Sequence, residues 1–118
     1  MTTVRIFANG KCIKVDPLLH PDRLCYGQNC YLRIKGCRND QRTVVPCHAN
    51  LLELGKGKGI KVPDIYTVPG CFYCHHELDQ GSRLSKIQRR RTWLAGYARW
   101  GKFRERRYGV KYCSLDLV

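Results

Sequence analysis

Acidic side chains are scarce in this chain. Nine Asp and Glu stand against 22 Lys and Arg, giving a formal net charge of +13 over 118 residues. A field of that sign attracts polyanions, so nucleic acid is the expected partner. A solvated basic surface is the plainer alternative. Also missing is any apolar stretch near the roughly 20 residues that cross a bilayer, so no membrane partner is expected. The opening Met1-Thr2-Thr3-Val4-Arg5 is not followed by the apolar run of a secretory leader. A reducing cytoplasm is the expected setting. There is no internal repeat and no low-complexity tract. The basic loop Gly55-Lys56-Gly57-Lys58-Gly59 lacks the G-x-x-x-x-G-K-[ST] spacing, which excludes a nucleotide-binding P-loop. Lys56 and Lys58 remain candidates for contact with a nucleic-acid backbone.

Cysteine, by contrast, is plentiful, with eight residues. In a reducing compartment clustered cysteines read as metal ligands rather than disulfides. Cys71 and Cys74 have the C-x-x-C spacing by which one tight turn grips a zinc ion. Cys30 and Cys37 flank a short segment with a turn glycine, Gly36, and would complete a four-thiolate structural zinc site. A chain this small has a modest core, which a structural metal would supplement. Cys12, Cys25, Cys47 and Cys113 are expected to be free thiols, with Cys25 a rival ligand because it lies close to Cys30.

The pattern along the chain is mixed. Thr3–Phe7 and Lys11–Val15, separated by Asn9-Gly10, read as a hairpin. Tyr31–Ile34 has the composition of a short strand. The β-rich runs Thr43–His48 and Ile65–Val68 read as an antiparallel ribbon with the glycine loop at its tip, and Pro46 calls for an edge position. A short helix follows Cys71, placing His75 and Asp79 one turn apart on one face. Ser82 is the expected N-cap of a longer helix from Arg83 to about Glu105, with Leu84, Ile87, Leu94, Tyr97 and Ala98 inward and Gly96 a weak point. Arg83, Lys86, Arg89, Arg90 and Arg91 would give it a basic outer surface suited to phosphate contact. Trp93 and Trp100 read as packing residues, and Val110-Lys111-Tyr112 as a final strand.

The order of these features is a cysteine pair, a β-run ending in His48, a glycine-rich loop, a second β-run, and Cys71-Phe72-Tyr73-Cys74-His75-His76-Glu77-Leu78-Asp79. Over roughly residues 28 to 100 it resembles the HNH, or ββα-metal, endonucleases built on a treble-clef zinc scaffold. Within them it is most similar to the YbcO-like group of lambdoid phages and prophages, whose members are assigned as nucleases by sequence.

The resemblance implies a small zinc-stabilised α+β domain carrying a long basic C-terminal helix. It divides the chain into an extension at 1–28, the HNH-like domain at 29–107 and a tail at 108–118. It places His48 as general base and Asp64 as the residue that orients it. His75 and Asp79 become ligands of a catalytic divalent ion, Mg²⁺ or Mn²⁺, with Zn²⁺ or Ni²⁺ as alternatives. Two positions depart from the pattern. Cys47 stands where a third metal ligand is common, and a thiolate suits Mg²⁺ poorly. Asp79 stands where histidine is common. The implied activity is metal-dependent hydrolysis of DNA. A zinc-stabilised accessory protein that binds nucleic acid without cutting it is the alternative.

Overall fold

The computed structural model describes residues 3–8, 11–49, 64–112 and 115. Strands β1 (Val4–Ala8) and β2 (Lys11–Val15) form an antiparallel hairpin in which Val4 faces Val15. Strands β3 (Val45–His48) and β4 (Thr67–Gly70) form a second antiparallel pair. Two helices follow, α1 (Phe72–Asp79) and α2 (Lys86–Tyr108). The architecture is a small α+β fold of two two-stranded sheets and two helices. No helix among the described residues is long and apolar enough to cross a membrane.

The β3–β4 ladder sets Pro46 opposite Pro69. Two residues without an N–H are tolerable across from one another where the ladder asks neither for a donor. The outward edge of β4 stays useful, since the Pro69 carbonyl accepts from the Tyr31 N–H at 2.8 Å. That single bond draws the segment after Cys30 against β4 without making a strand. Residues 31–34 are irregular, contrary to the strand expected from their Tyr, Leu and Ile content. Leu32 and Ile34 are buried all the same, so apolar content there reports burial rather than extended pairing.

Helix α2 is the spine of the molecule. Trp93, Tyr97, Trp100 and Arg104, at spacings of four, three and four, form its buried face. Trp93 and Tyr97 join a core built from Cys30, Leu32, Ile34, Val44, Cys47 and Val68. Trp100 belongs to a second core with Ile6, Val15, Leu24, Cys25 and Val110, which ties the N-terminal hairpin to the same helix. The inward face expected from Leu84 and Ile87 is therefore rotated. Ile87 is exposed, and the large aromatics rather than the small aliphatics define the seam. The helix also begins later than expected. Ser85, not Ser82, is the N-cap, and it forms a reciprocal capping box with Gln88. Residues 110–112 are not a strand.

Arg104 lies wholly inside, donating to the Ile65 carbonyl at 3.1 Å with its guanidinium over the Tyr97 ring. A basic residue here belongs to the core, which basic character alone does not reveal. Gly96 is a contact point rather than a weakness. A Cβ there would sit 2.9 Å from the Tyr31 carbonyl oxygen and 3.1 Å from Val68 Cγ1. Gly96→Val is expected to destabilise the fold by about 1–3 kcal/mol through overpacking. Ser85→Ala is expected to cost about 1 kcal/mol by removing the cap. Urea unfolding followed by tryptophan fluorescence checks both.

Candidate metal centre and adjoining polar site

The four cysteines singled out by spacing come together. The Sγ atoms of Cys30, Cys37, Cys71 and Cys74 all lie within 4.8 Å of one another. Cys37 Sγ and Cys71 Sγ are 3.8 Å apart, too far for a disulfide. A tetrahedral zinc site with Zn–S bonds of about 2.3 Å has S···S edges of roughly 3.8 Å, so the cluster has the size such an ion needs. The donor set also fits: four thiols, three of them buried, suit a closed structural site. These residues are positioned to bind a metal ion, consistent with structural zinc.

Local structure explains how they meet. Gly36, at φ +93°, makes the tight turn that returns the chain to Cys37, and the Cys37 N–H donates to the Ile34 carbonyl at 2.8 Å. Asn39, itself at φ +46°, accepts from the Cys30 N–H at 2.7 Å. On the other side Cys71 is the N-cap of α1 and Cys74 lies in its first turn. Tyr73 joins the halves by donating its hydroxyl to the Lys35 carbonyl at 3.0 Å. Asn39 and Tyr73 carry no spacing signature, so sequence gave no sign of either role.

Electrostatics follow the geometry. The Cys30 thiol is pulled down to about 4, chiefly by its hydrogen bond with Cys74 and further by backbone bonds, while burial opposes. The same bond holds Cys74 up. Clustered sulfurs that share protons in this way are answered by a cation. Cys25 and Cys47 stand outside the cluster. Cys25 donates to Thr67 Oγ1 at 3.7 Å, and burial pushes its thiol up to about 12. Cys47 contacts the Val45 carbonyl and is raised well above the ordinary range, again first by burial.

Two further polar pairs are present, one at the end of β3 and one on α1. His48 ends that strand, and its Nε2 lies 3.3 Å from Asp64 Oδ1. Asp64 is placed by Thr67 at the start of β4, whose hydroxyl donates to the Asp64 carbonyl at 3.0 Å. On α1, His75 Nε2 and Asp79 Oδ2 are 3.0 Å apart, the one-turn pairing their spacing predicts. The carboxylate bond raises the His75 imidazole above its ordinary value, against burial. The charge of Asp79 contributes to raising the Cys47 thiol, so the end of α1 lies within electrostatic reach of β3. The indole of Trp93 donates to the Cys47 carbonyl at 3.1 Å and pins α2 to the strand beside His48. Among the described residues, no third His, Cys, Asp or Glu joins His75 and Asp79.

The basic residues separate. Lys86 and Arg91 are exposed on α2. Arg83 precedes the helix and donates to the Tyr73 hydroxyl at 2.9 Å. Arg89 donates to the Leu84 and Gly81 carbonyls and so fastens the turn between the helices. Arg90 is half-buried. Lys56, Lys58 and the glycine loop, like Cys113, lie outside the described residues.

No family model matches the chain, and no curated protein matches it. Among solved structures, a protein of Escherichia coli str. K-12 substr. MG1655, described as "a putative bacteriophage protein", aligns with a TM-score of 0.57 at 24% identity. The alignment covers 74% of this chain and 98% of that one. The likeness is one of fold.

The cluster predicts one zinc per chain, measurable by elemental analysis. Cys30→Ala or Cys74→Ala should abolish it, and Cys47→Ala should leave it intact. In the native protein, alkylation mapped by mass spectrometry should find exposed Cys12 reactive and buried Cys25 and Cys47 protected.

Proposed function

We propose that this chain is a metal-dependent endonuclease that hydrolyses phosphodiester bonds in DNA. The observation that carries the reading is the His48–Asp64 pair at the end of β3, with the His75–Asp79 pair on the helix that leaves the cysteine cluster. That is the order of parts expected of an HNH-type site on a zinc scaffold. The net charge of +13 suits a polyanionic substrate. The bacteriophage description given for the E. coli protein of similar fold supports a phage- or prophage-encoded enzyme acting in the host cytoplasm.

In this reading Asp64 accepts the Nε2–H of His48 and fixes the tautomer, leaving Nδ1 with its lone pair. His48 Nδ1 then takes the proton of a water as the water oxygen attacks phosphorus and the bond to the leaving ester oxygen breaks. His75 and Asp79 would hold the divalent ion. Two protein donors leave room for the water and phosphate ligands that Mg²⁺ or Mn²⁺ prefers. When bound, such an ion stabilises negative charge on the phosphate and the departing oxygen. Cys30, Cys37, Cys71 and Cys74 would hold a structural zinc that takes no part in the chemistry and fixes the start of α1. Exposed Lys86 and Arg91 would meet backbone phosphates.

One observation favours a purely binding protein. Among the described residues, no third His, Cys, Asp or Glu joins His75 and Asp79 as a metal ligand. Supercoiled plasmid separates the two readings. Metal-stripped protein given back Mg²⁺, Mn²⁺, Ni²⁺ or Zn²⁺ should nick it. His48→Ala should reduce the rate by about 10²–10⁴-fold with zinc content and fold unchanged. Asp64→Asn should slow it less, and His75→Ala should weaken the response to added metal. Plasmid left intact with every metal, alongside retained binding, would establish the accessory role instead.

A further inference from the structure

At about 100° per residue, α1 turns Tyr73, Cys74, Glu77 and Leu78 inward or against the fold. Its other side carries His75, Asp79, Phe72 and His76, in that order around the helix. Phe72 is 71% exposed, although it directly follows the buried Cys71. Its ring is not idle. It stacks on His76 with centroids 6.5 Å apart and planes 24° from parallel. The Phe72 backbone N–H is fixed by the Thr43 hydroxyl at 3.0 Å. The two rings form one wall of a cleft of about 370 Å³, which Arg38, Thr43 and Tyr73 also line. Its acidic residue, Asp40, is already paired with Arg42 at 3.2 Å.

We propose that the Phe72–His76 stack and this cleft receive an unpaired nucleobase, and that the substrate is DNA with single-stranded character. The inference rests on the nuclease reading and adds the substrate class. An exposed aromatic pair offers a flat face that any base can stack on, and such platforms beside basic residues are how single strands are held. In a duplex each base is stacked on its neighbours and cannot lie on a protein ring unless extruded. The cleft volume lies within the roughly 300–1,000 Å³ of small-ligand sites. Arg38 on its rim, in a chain of +13, supplies the charge for the adjoining phosphate. Around the helix Phe72 lies between His76 and the His75–Asp79 pair, so a base stacked there brings its strand to the side of α1 that carries that pair. An apolar peptide would also cover a phenylalanine, but the basic, acid-poor surroundings favour the polyanion.

The test uses oligonucleotides with a single 2-aminopurine, whose fluorescence falls when the base stacks. It is run with the zinc-loaded full chain carrying His48→Ala, so that binding is read whether or not the protein cleaves. The single strand should bind more tightly than the matching duplex, and its 2-aminopurine should be quenched. Phe72→Ala should remove the quenching and weaken single-strand binding by about tenfold, while duplex binding stays unchanged. Phe72→Tyr should restore both signals. With His48 intact, Phe72→Ala should slow cleavage of single strands more than of duplex. Equal affinity for single strand and duplex, or quenching and affinity indifferent to Phe72→Ala, would overturn the proposal and point to a protein partner at this face. No cleavage of any substrate by the chain with His48 and Phe72 intact, with the binding pattern as expected, would instead count against the nuclease reading alone.

Discussion

Four thiols within 4.8 Å of one another are the constraint on which this molecule turns. They bind the loop at 30–37 to the start of α1, two segments separated by more than thirty residues. Without a cation their burial is unfavourable, because clustered sulfurs must share protons or charge. With one, the N-terminus of α1 has a fixed position, and everything on that helix inherits it. The same loop is drawn to β4 by the Tyr31–Pro69 bond, and β4 leads directly into Cys71. Cluster, ribbon and helix thus form one closed circuit of contacts.

Helix α2 supplies the second half of the framework. Its aromatic seam serves two cores at once, so the N-terminal hairpin and the β3–β4 ribbon are held by a shared element. Trp93 reaches the carbonyl of Cys47, next to His48. Arg104 bridges the same helix to the segment that follows Asp64. Both residues of the candidate base pair therefore depend on α2 for position, although neither lies on it. This arrangement gives a small core the means to hold polar side chains at a sheet end, where they stay open to solvent.

Charge is distributed by role rather than spread evenly. Arg104 is interior, Arg89 fastens a turn and Arg83 braces Tyr73, while Lys86 and Arg91 face water. A count of basic residues measures the long-range field that draws a polyanion. It says little about which side chains reach it. The solvent face of α1 differs in kind, with paired His and Asp on one flank and stacked aromatic rings on the other.

What the sequence determined by itself was local. C-x-x-C spacing, the His75–Asp79 interval, the turn glycine before Cys37 and the N-terminal hairpin all depend on neighbours within a few residues, and each has the expected local form. Spacing also suggested that Cys30 and Cys37 would join Cys71 and Cys74. Tertiary structure decided the rest. Apolar residues at 31–34 are buried without pairing as a strand, because one bond to β4 and the cluster satisfy them. Ser85 displaced Ser82 as cap because Gln88 could answer it from one turn on. Arg104 went inside because a carbonyl and an aromatic ring awaited it there. Phe72 stayed outside because α1 turns Cys74, Glu77 and Leu78 inward, which puts position 72 on the opposite side of the helix. Periodicity gives the faces of a helix, but only packing against distant segments decides which of them meets protein and which meets water.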